Sequence, residues 1–199
     1  MDQNQIKAIE RFVNSRRKAL RQDVETRLHG YGIQPSGELL PESSLEHLSD
    51  IERQTADQLR QRFDHLSASM KPAEAFSTVV REQAFTILNR MVTLRMAEAR
   101  GMILPSVSGG MESEGFQLFL QSCDQKSIGL YAWYRNYLLA LFDELSLELP
   151  VLFDRFRGEG LIFPRQDTCT VHAIIHIYVD PGFLSALYRH VRQLHSRLL

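Results

Sequence analysis

A guanidinium and a carboxylate stand three residues apart in FTILNRMVTLRMAEARG, residues 85–101: Arg95 and Glu98. On a helix turning about 100° per residue, Phe85, Leu88, Met91, Val92 and Met96 share one arc, and Arg95 projects into its middle. Glu98 is within reach of Arg95 on the same side, and Asn89 stands at the border beside Met96. A charge on an apolar stripe is tolerated in a core only when paired, because an unpartnered buried ion is very costly. Asn89, Arg95 and Glu98 are therefore expected to form a polar knot inside a helical core. The other possibility is that Arg95 snorkels to water along its aliphatic stem.

Other residues invite chemistry more weakly. Arg16, Arg17, Lys18 and Arg21 gather on the first periodic stretch, and Arg189, Arg192 and Arg197 near the end. Against a phosphate backbone such cations gain from counterion release; with Glu10, Asp23 and Glu25 close by, the first group also suits a solvated face of mixed sign. Tyr131, Trp133, Tyr134, Tyr137 and Phe142 are aromatics of the kind that stack on bases or on a flipped adenine, although at helical spacing such rings more often form core. LPSVSGGMESEG, residues 104–115, is glycine-rich like a phosphate cradle but has neither G-x-G-x-x-G nor the lysine such a loop needs. His172 and His176 are spaced to share a helical face as metal ligands do, yet Ala, Ile and Ile stand between them and no base glutamate does. His190 and His195, five apart, diverge by about 140°. Cys123 and Cys169 fit no zinc or redox spacing and read as reduced, buried thiols. No catalytic residue, cofactor-binding residue or metal site is expected.

Helices must position these residues. Ile6, Ile9, Val13, Leu20, Val24 and Leu28 recur at three- and four-residue steps, predicting a helix over 3–29 that Gly30 and Gly32 end. Ser43 and Glu46 have the spacing of a capping box for a second helix, about 44–69, with Leu45, Leu48, Ile51, Leu59, Phe63 and Leu66 as its stripe. Pro72 suits the first turn of a third, running to Arg100 with Gly101 as the stop; the short connection implies that it packs antiparallel to the second. Further helices are predicted over 116–124 and over 128–145, the latter capped by Ser127, and a short element starts at Pro150. Leu161 to Phe163 is the plausible strand. TVHAIIHIYVDP fits strand alternation or a helix, and Asp180-Pro181 opens a last helix to Leu198. The fold class expected is all-α: a multi-helix bundle of about six to eight helices with short irregular connections. It would form a single domain over 1–199, or two lobes, 1–103 and 113–199, joined by the Gly/Ser-rich loop.

The chain has 199 residues, 44% of them hydrophobic, with net charge −1 and pI about 6.7. That balance argues against a dedicated polyanion binder, which carries a strong basic excess. The amino terminus lacks an apolar secretion core, and no apolar run of about eighteen residues suits a membrane span. A cytoplasmic globular protein with no membrane association is the expectation.

NRMVTLRMAEARG resembles the "FNR…LRFME…G" segment near the start of the large adenine-specific DNA methyltransferases of bacterial phage defence, the PglX type of the BREX system and its relatives. FVNSRRKALRQDVETRLHGYGI, residues 12–33, is similar to that family's opening helix. LPVLFDRFRGEGLIFP, residues 149–164, is similar to its leucine-rich helix end followed by an F-x-P strand or turn. The resemblance covers only the amino-terminal helical region of a much longer protein. It implies two short helices around Asp180-Pro181, and partners that are DNA and a methyltransferase core or other defence-system subunits.

The family's reaction moves a methyl group from S-adenosylmethionine to the exocyclic amine of adenine. It requires a glycine-rich turn for the cofactor and an Asn/Asp-Pro-Pro-Tyr/Phe tetrad that grips the flipped base. None of the seven prolines here is adjacent to another, so the tetrad is missing, and so is the alternating βα pattern of a cofactor-binding sheet. Nor does any nucleophile sit in a recognisable elbow. S-adenosylmethionine is thus expected only in a catalytic part outside this chain. The chain, ending at HSRLL, is either a fragment of a longer reading frame or a stand-alone homologue of the helical region. An alternative function is a DNA-binding or regulatory helical protein acting alone.

Overall fold

The computed structural model describes residues 3–123 and 128–164. Among them the architecture is all-α, with α1 Gln3–Gly30, α2 Asp50–Ser67, α3 Pro72–Ala99, α4 Glu114–Gln121, α5 Leu130–Ser146 and α6 Pro150–Phe153. Short 3-10 turns occupy Glu42–Leu45 and Gly110–Glu112. Extended pairing among the described residues is confined to a bridge between Ile33 and Leu39. The strand expected at 161–163 does not form; its Ile162 N–H goes to the side chain of Gln83 at 3.0 Å instead of to a neighbouring strand. The elements expected beyond residue 164 and the Ser127 cap lie outside the described residues.

The chain divides into two compact units that interleave along the sequence. Of the described residues, the first takes 3–16 and those of Leu88–Asp154, and the second Arg17–Ile87 with Arg155–Pro164. The expected lobes met at the loop over 104–112. The backbone of that loop is bonded to side chains of α3 and α5 within the first unit. The division falls inside α3 instead, between Ile87 and Leu88.

In the second unit, Leu20, Val24 and Leu28 of α1 and Ala56, Leu59 and Phe63 of α2 are buried. Ile51, expected on the α2 stripe, is 72% exposed. The helix starts later than expected, at Asp50, so Leu45 and Leu48 of the predicted stripe lie before it and Ile51 falls in its first turn. Ser49 is the N-cap, and a capping box joins it to Glu52, whose carboxylate takes the Ser49 N–H at 3.0 Å and the Ser49 hydroxyl at 2.7 Å. Ser43 and Glu46 belong instead to the preceding 3-10 turn and its cap. Gly37, at φ +86°, lets the α1–α2 connection close onto the start of α3; a Cβ there would overlap the Pro72 ring.

α3 is buried round much of its circumference from Val79 to Leu94, including the polar residues Gln83 and Arg90. At that degree of enclosure an unpartnered polar group is costly, and Gln83 and Arg90 both bond to backbone of distant segments.

Candidate functional site

An acidic side chain in the last turn of a helix faces the negative end of the helix dipole. Glu98 is in that position and is stable there because the next loop turns its backbone donors inward. Ser106 and Val107 donate their N–H groups to Oε1, and the Ser108 N–H lies 3.2 Å from both carboxylate oxygens. Arg95, three residues back, holds Nη1 3.4 Å from Oε2. The Glu98 side chain is 2% exposed and that of Arg95 16%.

Ser106 ties this loop to α5. Its hydroxyl donates to the Leu104 carbonyl at 2.7 Å and lies 2.5 Å from the Tyr137 hydroxyl. The Ser106 carbonyl accepts from Ser113 Oγ at 3.0 Å and from the Tyr134 hydroxyl at 3.1 Å. Gly115 passes beneath, its N–H 2.8 Å from the Pro105 carbonyl; a Cβ there would overlap the Tyr137 hydroxyl. Phe116 packs edge-on against Tyr134 at 5.1 Å. Burial pushes the Tyr137 phenol above its ordinary value, the Ser106 bond opposes this, and Glu98 and Glu144 push the same way as burial.

A second buried charge lies on α3. Arg90 is 4% exposed, and its Nε and Nη2 donate to the carbonyls of Leu152 and Asp154, each at 2.8 Å. Those carbonyls belong to the end of α6, where helical partners run out. The guanidinium carbon lies 5.1 Å from the centre of the Phe142 ring, which packs on Phe153. Burial lowers the Arg90 pKa to about 10, opposed by the Asp154 charge, which leaves it cationic at neutral pH.

In the second unit Gln83, fully buried, does the same with a neutral amide. Its Nε2 donates to the Gly158 carbonyl at 2.5 Å while its Oε1 accepts the Ile162 N–H. Arg62 pairs with Glu82 through Nε at 3.2 Å and Nη2 at 2.7 Å; chiefly through this hydrogen bond Glu82 raises the Arg62 pKa.

Of the expected knot, Arg95 and Glu98 come together, but Asn89 is half-buried and makes no hydrogen bond to either. It stands about 120° round the helix from Arg95, and the polar partners of Glu98 come from the loop instead. Lys18 is exposed and Arg21 half-exposed on α1; the side chains of Arg16 and Arg17 lie outside those described. Tyr134, Tyr137 and Phe142 are buried in the first unit, which removes them from base stacking. Cys123 is a free, half-exposed thiol rather than a buried one. The four histidines weighed as metal ligands, and Cys169, lie outside the described residues; among those described, no three His, Cys, Asp or Glu gather to hold a metal. No described helix is long and apolar enough to cross a membrane.

Sequence reasoning missed Arg90, Gln83 and Ser106. For Arg90 a signal existed: it stands three residues after Ile87 and four before Leu94, inside an apolar row. These centres have one chemical character. Arg90, Gln83, Ser106 and Glu98 each bond to backbone atoms of the fold, and both carboxylate oxygens of Glu98 are occupied. Comparison with protein-family models, with curated proteins and with solved structures found no match.

Proposed function

We propose that this chain is a non-catalytic helical scaffold of a phage-defence adenine-specific DNA methyltransferase. It acts in the cytoplasm and positions a catalytic core, carried on another polypeptide or another part of the protein, on DNA or on partner subunits. S-adenosylmethionine binds that core and not this chain. The reading rests on the resemblance of three segments, and one observation supports it above the others. Arg90, in the segment that resembles "FNR…LRFME…G", bonds to Leu152 and Asp154, in the segment that resembles the family's leucine-rich helix end. Two stretches far apart in sequence are thereby joined in one folding unit, as parts of a single inherited domain would be.

Co-expression tests the proposal. A polypeptide encoded beside this one and carrying an Asn/Asp-Pro-Pro-Tyr/Phe tetrad should co-purify with it and methylate adenine in duplex DNA only as the complex. Micromolar S-adenosylmethionine binding by this chain alone, or full methylation by the catalytic polypeptide without it, would overturn the reading.

A further inference from the structure

The glycine-rich loop does cradle an anion, and the anion is part of the chain. Successive backbone N–H groups of Ser106, Val107 and Ser108 converge on one carboxylate, a concave nest of the kind that binds free anions elsewhere. Arg95 adds a cation on the other oxygen, and its Nε is buried without a hydrogen-bond partner. Ser106 and Val107 are buried, and the Ser106 carbonyl and hydroxyl are fixed by Tyr134, Ser113 and Tyr137. The walls of the nest are therefore held by α5 as well as by its occupant.

We infer that residues 106–108 with Arg95 form a carboxylate receptor whose resident ligand is Glu98, and that the receptor takes up a small free carboxylate when that side chain is removed. The resident ligand presents two oxygens on one carbon, so formate and acetate are the free anions that reproduce it. This inference is independent of the methyltransferase reading, since it concerns only contacts within the first unit.

Glu98→Ala, Glu98→Gln and the unaltered protein are melted in potassium formate and in potassium chloride at equal ionic strength. In chloride Glu98→Ala should melt about 4–10 °C below the unaltered protein. Roughly 0.2 M formate should restore at least half of that loss, as expected of a ligand that binds only the folded state. The unaltered protein and Glu98→Gln, whose nests are filled, should respond equally to the two salts. Glu98→Ala that melts with the unaltered protein, or that gains no more from formate than the filled proteins do, overturns the inference. If Glu98→Ala folds in neither salt, amide exchange decides. The N–H groups of 106–108 should be protected in the unaltered protein and exchange at least about tenfold faster in Glu98→Gln; exchange at free-loop rates in the unaltered protein overturns the proposal.

Discussion

Arg90 and Arg95 lie less than two helical turns apart, yet they answer to different physics. Arg90 is enclosed and bonded to backbone carbonyls at the end of α6; Arg95 keeps part of its side chain in water and offers a single 3.4 Å contact to Glu98. Stranding buried polar groups costs more than losing a partly solvated pair. Arg90→Met should therefore lower the unfolding free energy by about 2–4 kcal/mol, and Arg95→Met by only about 1 kcal/mol, in urea titrations at neutral pH. Tyr137 supplies a pH test. Its folded-state pKa is raised above the ordinary 10.0, so the neutral phenol is favoured in the fold. That contribution is complete below pH 10 and is lost as pH rises through the folded-state value. Tyr137→Phe should accordingly show a shallower alkaline fall in melting temperature than the parent. Periodicity placed Arg95 and Glu98 on one side of a helix, but it carries no information on depth. That is why the sequence reading put the buried guanidinium at Arg95 and left Arg90 unmarked.

Among the elements, helix ends were decided by local chemistry that two sites could both supply. Ser43-x-x-Glu46 and Ser49-x-x-Glu52 have the same spacing, and only the second forms the box. Ser49→Ala should cost about 1 kcal/mol, whereas Ser43→Ala should cost less than about 0.5 kcal/mol; thermal unfolding of the two variants separates them. Where α4 packs under α5, the space is tighter than any turn rule requires. Gly115→Ala would press its methyl group onto Tyr137 and Ser106 and should destabilise by about 1–3 kcal/mol in the same measurement, and Gly115→Ser should be no better tolerated. The existence of α1, α2, α3 and α5 was legible from apolar spacing alone, as were the stop near Gly101 and the proline starts at Pro72 and Pro150. The strand expected at 161–163 was not, because an apolar run becomes a strand only where another edge accepts its ladder, and here the amide of Gln83 takes the bond.

Across the whole chain, the interleaving of the units has a mechanical consequence. The second unit is completed by Arg155–Pro164, which returns to α3 through Gln83. A chain ending at Asp154 would leave both ends of a fully buried amide without partners, at a cost of about 2–5 kcal/mol. Proteolysis within 17–87 should become faster in that truncation, and adding Gln83→Leu to the truncated chain should slow it again, because an apolar side chain needs no partner.

Helicity, and the course of most of the helices, could be read from the order of residues alone, because apolar spacing and end residues act over a few neighbours. So could the lack of the methyltransferase tetrad, since that requires adjacent prolines. Which polar residues are enclosed, and what they hold, emerged only when distant segments packed together. A guanidinium, an amide and a carboxylate are satisfied by backbone groups of segments as far as 79 residues away, and no local pattern announces which carbonyl or N–H a distant loop will present.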